Sequence, residues 1–254
     1  MWYLEDVRHF FVLLASLAAL PASAILIRAD RDDAEYVELA TRYPQSIALP
    51  AGGEGTIIAG RWVLTTAGRA QAIRQMKPAP KLTVAGREHE IEAVHLHPDW
   101  KPGAANDIAL LLLRKDARGI EPLPVYRASD ESGKGVAIVG HGETGKIGAR
   151  PIASDGKKRA AINTIDRVEP RILGLRIKPA EEASDLQGAT APGDSGGPAI
   201  IETANGMYVA GVRFATDGDW ELYARVSAFA AWIDAVMLDL AAKEAAELMD
   251  PQSR

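Results

Sequence analysis

Short apolar stretches broken by glycine dominate the middle of the chain. Ser46 to Leu49, Gly55 to Ala59 and Trp62 to Thr66 are apolar runs separated by A-G-G-E and G-R. Lys81 to Val84 follows, then Glu88 to Leu96, where apolar and polar positions alternate as in a half-buried strand. After the polar loop P-D-W-K-P-G-A-A-N, Asp107 to Arg114 is strongly apolar, the signature of a buried strand. Residues 115–134 carry Pro122, Pro124 and several charges and suit a connector. A second set of strands begins at Gly135-Val-Ala-Ile-Val-Gly. It continues through Arg171 to Ile177, Pro198 to Glu202, Met207 to Phe214 and Glu221 to Val226. Short strands at this spacing predict an all-β sandwich or barrel. From about Ala228 to Leu248 the period changes. Phe229, Trp232, Ile233, Val236, Met237 and Leu240 recur at helical spacing, and Pro251 follows the end. The pattern predicts two β units and a C-terminal helix, with Ala241 to Leu248 a solvated extension.

Composition narrows the function classes. The formal net charge is −5 and no basic block could track a phosphate backbone, so nucleic acid is not an expected partner. There is no cysteine, which removes disulfides, thiolate nucleophiles and cysteine metal sites together. Phe10 to Leu20 is an apolar run of signal-peptide length, and Pro21 leads into Ala22-Ser23-Ala24, an A-x-A cleavage pattern. The run is short for a membrane span and Pro21 interrupts it. Glu5 and Asp6 outweigh Arg8, a departure from the usual positive start. The expected organisation is a signal peptide over 1–24, β units over 25–120 and 121–227, and a helix and tail over 228–254. Secretion or periplasmic location, a monomer, and no membrane span after cleavage follow as expectations.

The most specific stretch is Gly193-Asp-Ser-Gly-Gly-Pro198. Ser195 sits in a glycine-rich turn where a substrate can approach the backbone. The N–H groups of Gly193 and Ser195 could converge on an oxyanion. The stretch also fits the G-x-S-x-G nucleophile elbow, but that arrangement needs a later histidine and none follows His141. The other arrangement places histidine and aspartate before the serine. Asn106-Asp107-Ile-Ala-Leu-Leu supplies an aspartate at the head of an apolar strand. His89, His95 and His97 alternate on one strand and are expected on one face. Strand histidines near a surface are usually solvated, and H-E-I-E-A-V-H lacks the H-E-x-x-H spacing, so no metal is assigned.

These stretches are similar to the trypsin/chymotrypsin family of serine proteases. The resemblance runs through G-T-I-I-A-G-R-W-V-L-T-T-A (55–67), H-P-D-W (97–100), N-D-I-A-L-L (106–111), G-D-S-G-G-P (193–198) and Y-A-R-V-S-A-F-A-A-W-I (223–233). It implies two antiparallel six-stranded β-barrels with the active site between them. The absent cysteines and the leader resemble its bacterial members. Ser195 then maps onto the nucleophile, Asp107 onto the orienting acid, and Gly193 with Ser195 onto the oxyanion hole.

In that family the strand W-V-L-T-A-A ends in the catalytic histidine, and here T-T-A is followed by Gly68. The base is missing, and Arg69 stands where many relatives have cysteine. His141 takes a position often aromatic, which implies packing. Ala189 occupies the S1 base position, implying a small or apolar side chain rather than Arg or Lys. Gly211-Val-Arg-Phe-Ala-Thr216 replaces the usual G-x-x-S-W-G, so that Arg213, Phe214 and Thr216 would narrow or close S1. Asp194 maps onto the aspartate that pairs with a new N-terminal isoleucine. Cleavage after Ala24 would expose Ile25, but Ile25-Leu-Ile-Arg lacks the flexible glycines of I-V-G-G, which argues against that insertion. The resemblance therefore implies a serine endopeptidase homologue without cofactor, defective in catalysis, holding a peptide or protein segment in its cleft. The alternative is a working endopeptidase whose base comes from the substrate or another residue.

Overall fold

The computed structural model describes residues 25–149 and 155–249. The expected leader, 1–24, lies outside the described residues. Elements are, in order, β1 (Leu26–Ile27), α1 (Asp33–Ala40), β2 (Ser46–Ala48), β3 (Glu54–Ala59), β4 (Trp62–Thr65) and α2 (Ala67–Gln75). Next come β5 (Lys81–Val84), β6 (Arg87–Leu96), β7 (Ala109–Leu113), β8 (Gly135–Gly140), β9 (Gly145–Lys146) and β10 (Arg159–Thr164). The rest are β11 (Arg167–Val168), β12 (Ile172–Arg176), β13 (Gly188–Ala189), β14 (Pro198–Thr203), β15 (Gly206–Asp217), β16 (Trp220–Arg225) and α3 (Val226–Met249).

Two barrel-like antiparallel sheets carry the fold, as the strand pattern predicts. The first has the order β2-β3-β4-β7-β6-β5 and the second β10-β8-β14-β15-β16-β12-β11. Each strand is apolar toward its barrel interior. Ile57, Val63, Leu82 and Leu111 fill the first, and Ile138, Ile165, Leu175 and Tyr223 fill the second. A further apolar cluster joins them. Leu64, Ile108 and Leu110 from the first sheet meet Val139 and Val212 from the second, with Phe229 and Ile233 of α3 closing it. Burying such side chains removes about 1.5–3 kcal/mol of apolar exposure each.

Strand β6 departs from strict alternation. A register shift between Ile91 and Ala93 reverses which side chains face inward. Ile91, Val94 and Leu96 pack into the first barrel, whereas Ala93 faces the inter-barrel cluster. His95 tilts against Trp62 at 5.6 Å, and His97 lies between Phe229 and Trp232 at 5.2 and 5.1 Å. The three histidines therefore do not share one face, and His95 and His97 are packing residues. Burial pushes the pKa of both downward.

Two helices went unpredicted by the apolar pattern. Helix α1 starts with a reciprocal capping box between Asp32 and Glu35. It is pinned to β10 by the buried Arg159, which pairs with Asp33 at 2.6 Å and Asp155 at 2.7 Å. Helix α2 is short and only weakly amphipathic, capped by Thr66. The C-terminal helix reaches back to the first sheet. Arg61 Nη1 donates to Glu244 Oε1 at 2.5 Å, so the stretch 241–248 is tied down at that point rather than wholly solvated.

The first sheet meets the serine loop at Glu54. Glu54 N–H donates to the Ser195 carbonyl at 2.8 Å. Gly196 has φ +95, and a Cβ there would sit 2.1 Å from the Glu54 carbonyl and 2.5 Å from Thr65 Oγ1. No side chain fits. Gly196→Ala is therefore expected to destabilise the protein by about 2–4 kcal/mol, from left-handed strain and a backbone clash together. Guanidinium unfolding checks this; a change below about 0.5 kcal/mol would contradict the close approach.

Candidate active site

The chain folds so that the end of β4, the start of β7 and the serine loop converge. Thr66 caps α2, and Gly68 is its second helical residue, half-buried and without positive φ. Gly68 N–H donates to Asp107 Oδ1 at 2.8 Å. A Cβ on Gly68 would lie 3.7–3.8 Å from the Asp107 carboxylate, an ordinary contact. Asp107, just ahead of β7, thus accepts from the amide end of a helix, as the helix dipole favours. Burial still pushes its pKa up, opposed by the Gly68 and Ala67 amides and the Arg69 charge.

Ser195 is half-buried, and its hydroxyl has no hydrogen bond among the described residues. Gly193 (φ +103) and Gly196 bend the loop on either side. The Gly193 and Ser195 N–H groups have no acceptor among the described residues, leaving both open to an incoming oxyanion. Gly196 N–H donates to the Arg213 carbonyl at 2.7 Å, and Arg213 N–H to Gly197 at 2.9 Å, so β15 runs alongside the loop. Asp107 and Gly68 are thereby in contact, Ser195 is tied to Glu54 of β3, and the adjoining Gly196 abuts Thr65 of β4, the strand that leads to Gly68. Among the described residues no imidazole enters this arrangement: His141, the histidine on the serine side, is committed elsewhere.

His141 is held by Glu54, a residue that sequence reasoning passed over. The Glu54 carboxylate is 1% exposed; it accepts His141 N–H at 2.7 Å and faces ring Nδ1 at 2.9 Å. The ring borders a cavity of about 640 Å³ shared with Lys158, Ile47 and Ile120. Asp194 is wholly buried and accepts from Gly142 N–H and Ala191 N–H, both at 2.7 Å. Burial pushes its pKa well above the usual range, and the like charge of Glu54 adds to this. Glu54 is raised by burial and lowered by His141.

The predicted S1 residues take different places. Ala189 is half-buried in β13 and pairs with Leu26 of β1. Phe214 occupies the bulge between Arg213 and Ala215 and packs toward the inter-barrel core. Arg213 instead reaches Thr190, the residue after Ala189. Its Nε donates to Thr190 Oγ1 at 2.9 Å and its Nη2 to Thr216 Oγ1 at 2.8 Å. Thr190 in turn donates from both N–H and Oγ1 to Glu221, the hydroxyl at 2.9 Å. Glu221 was not singled out from the sequence, and it places a buried carboxyl behind Thr190, beside Ala189. Its signal was alternation: in W-E-L-Y it shares a strand face with the buried Tyr223.

Ile25 is fully buried despite the missing glycines. Leu26 and Ile27 run extended between Ala189–Gly188 and Gly145–Lys146, and Thr144 Oγ1 reaches the Ile25 carbonyl at 3.4 Å. Leu26 and Ile27 are held as extended backbone without positive φ.

Two comparisons bear on this geometry. The Trypsin family model matches residues 38–233. A solved structure titled as the atomic-resolution structure of HBP superposes with a TM-score of 0.59 at 21% identity, covering 77% of this chain and 92% of that one. That likeness is one of fold.

The buried acids set a pH dependence. A carboxyl raised on folding binds its proton more tightly in the native state. Its contribution is therefore fully present below the unfolded value near 4 and is lost as pH rises toward the folded value, by at most about 1.4 kcal/mol per unit and proton. Glu54→Gln should flatten this decline and raise the melting temperature more at pH 8 than at pH 4.5. Thermal melts across that range test it, and an unchanged slope would show that Glu54 stays ionised throughout.

Proposed function

The chain belongs to the trypsin family, and on that premise we propose that it is a serine-protease homologue that binds peptide or protein segments between its barrels and hydrolyses them feebly or not at all. The carrying observation is Gly68. It stands against Asp107, at the place where the family's histidine would link that acid to Ser195. Without an imidazole, the Ser195 hydroxyl keeps its high pKa and has no proton acceptor. For an unrelated protease with the same triad, losing histidine costs about 10⁶ in turnover, or roughly 8 kcal/mol of barrier. The open Gly193 and Ser195 amides would still stabilise an oxyanion, with a residual rate of roughly 10³–10⁴ over water.

A second reading is supported by the space beside Asp107. A histidine of the bound segment could enter where Gly68 leaves room and serve as base, which would give cleavage only next to histidine. Peptides with and without histidine near the scissile bond separate this reading from the first.

We place the protein outside the cytoplasm, with cleavage between Ala24 and Ile25. The freed Ile25 amine would then pair with Asp194, as in the family, and relieve a buried carboxylate that otherwise has only backbone donors. N-terminal sequencing of exported protein should begin at Ile25; a start at Met1 would refute this placement.

The decisive substitution is Gly68→His. The backbone is helical there and the first side-chain atom meets Asp107 at van der Waals distance, so the variant should fold and gain up to about 1 kcal/mol from replacing a helical glycine. Hydrolysis of an activated ester should rise by at least about 10³, short of the full 10⁶ because the altered 211–216 strand misplaces substrate. Adding Ser195→Ala should abolish the gain. A well-folded Gly68→His no faster than the parent would mean that the missing base is not the limiting defect. Ordinary proteolytic rates in the parent would overturn the binding reading itself.

A further inference from the structure

We propose that the cavity bordered by His141 and Lys158 binds an organic carboxylate, its charge held by those two side chains and its apolar body lying against β2 and the turn at Ile120. The cavity shares no lining residue with the serine loop, with position 68 or with the 211–216 strand. It is therefore a site apart from the cleft, and the proposal goes beyond the reading of that cleft.

Size and lining set the ligand class. The cavity holds about 640 Å³, which suits a small organic molecule. Pro44, Ile47 and Ile120 give it an apolar wall, and its charged lining is entirely basic: Lys81, His141 and Lys158. A bare inorganic anion would leave most of that volume unfilled. An anion with an apolar body uses both parts of the lining.

Two of the bases are built into the wall. Glu54, 1% exposed, stands behind the His141 ring, accepting the His141 amide at 2.7 Å and facing Nδ1 at 2.9 Å. Nε2 is the ring nitrogen left for a ligand, and it has no hydrogen bond among the described residues. A carboxyl group and Nε2 need one proton between them, and the same pair forms whether the ring or the incoming acid brings it. Lys158 Nζ donates to the Tyr43 and Ser46 carbonyls at 2.8 and 3.2 Å. Its third N–H is uncommitted. Burial pushes the Lys158 pKa downward, a cost that an anion in the cavity would offset. Lys81 already pairs with the exposed Glu88 at 2.8 Å and stays outside the proposed contact.

The test is binding, read by calorimetry with 4-phenylbutyrate, its neutral amide and acetate. The parent should bind 4-phenylbutyrate at least about tenfold more tightly than the amide, which lacks the charge, or acetate, which lacks the apolar body. Lys158→Met and His141→Phe should each bring the acid down to the level of the amide. Ala48 is an exposed residue of the cavity wall. Ala48→Glu should weaken the acid at least about fivefold by like-charge repulsion and leave the amide unchanged. Equal affinity of the parent for acid and amide, or a preference that survives these substitutions, overturns the proposal. If Lys158→Met or His141→Phe is recovered unfolded, Ala48→Glu decides alone. The peptide Gly-Gly-Phe with a free carboxyl end separates two sources of the same chemistry. Binding tighter than 4-phenylbutyrate assigns the site to peptide C-termini and weaker binding to free acids; either order, with acid preferred over amide, supports the site. No arm involves position 68. Absent carboxylate binding therefore sinks this site alone, whereas an inert Gly68→His sinks the missing-base reading alone.

Discussion

The loop that presents Ser195 is fixed by one close approach between the two sheets. The Ser195 carbonyl accepts the Glu54 N–H, and the next residue brings its backbone against the Glu54 carbonyl and the Thr65 hydroxyl, where no Cβ could stand. Thr65 closes the triangle by donating to the same Glu54 carbonyl at 2.7 Å. Because β4 leads directly from Thr65 to the Thr66 cap and Gly68, this contact also fixes where α2 begins. Asp107 is then tied to α2 through the Gly68 amide. Ser195, Asp107 and Gly68 are thus set by one glycine contact and one helix cap, and both apolar barrels serve to hold them.

Charge around this point is unusual. Glu54, Asp194 and Glu221 are all buried within reach of the serine loop, and burial is the largest influence on each of their pKa values. Each is compensated differently. Glu54 has the His141 ring and amide, Asp194 has two backbone amides, and Glu221 has the Thr190 donors with Arg213 beyond them. Buried acids of this kind are eased by nearby cations, as the Arg213 guanidinium eases Glu221. The absence of an imidazole at position 68 removes a further cation that could have formed there during catalysis.

Asp107 has a structural role of its own. Its carboxylate faces the N-terminus of α2 and satisfies amides that would otherwise lack acceptors. The acid is thus structurally employed by the fold, through the Gly68 amide, apart from any part in catalysis.

The apolar pattern by itself determined most of the strands, the C-terminal helix and the two-unit organisation, because barrel strands must alternate or run apolar to fill a core. Motif order determined the family resemblance, Asp107, Ser195 and the vacancy at Gly68. The capping box D-D-A-E was legible for α1 but carried no apolar stripe. Alternation in W-E-L-Y could have flagged Glu221. Other features were decided only in three dimensions. The bulge in β6 sends His89 and His95 to opposite faces, the bulge in β15 turns Phe214 away and Arg213 inward, and Glu54 meets His141 across 87 positions of sequence. A local pattern records which side of a strand a residue prefers. It cannot record a one-residue slip in register, nor which buried charges from distant strands will be left to neutralise one another.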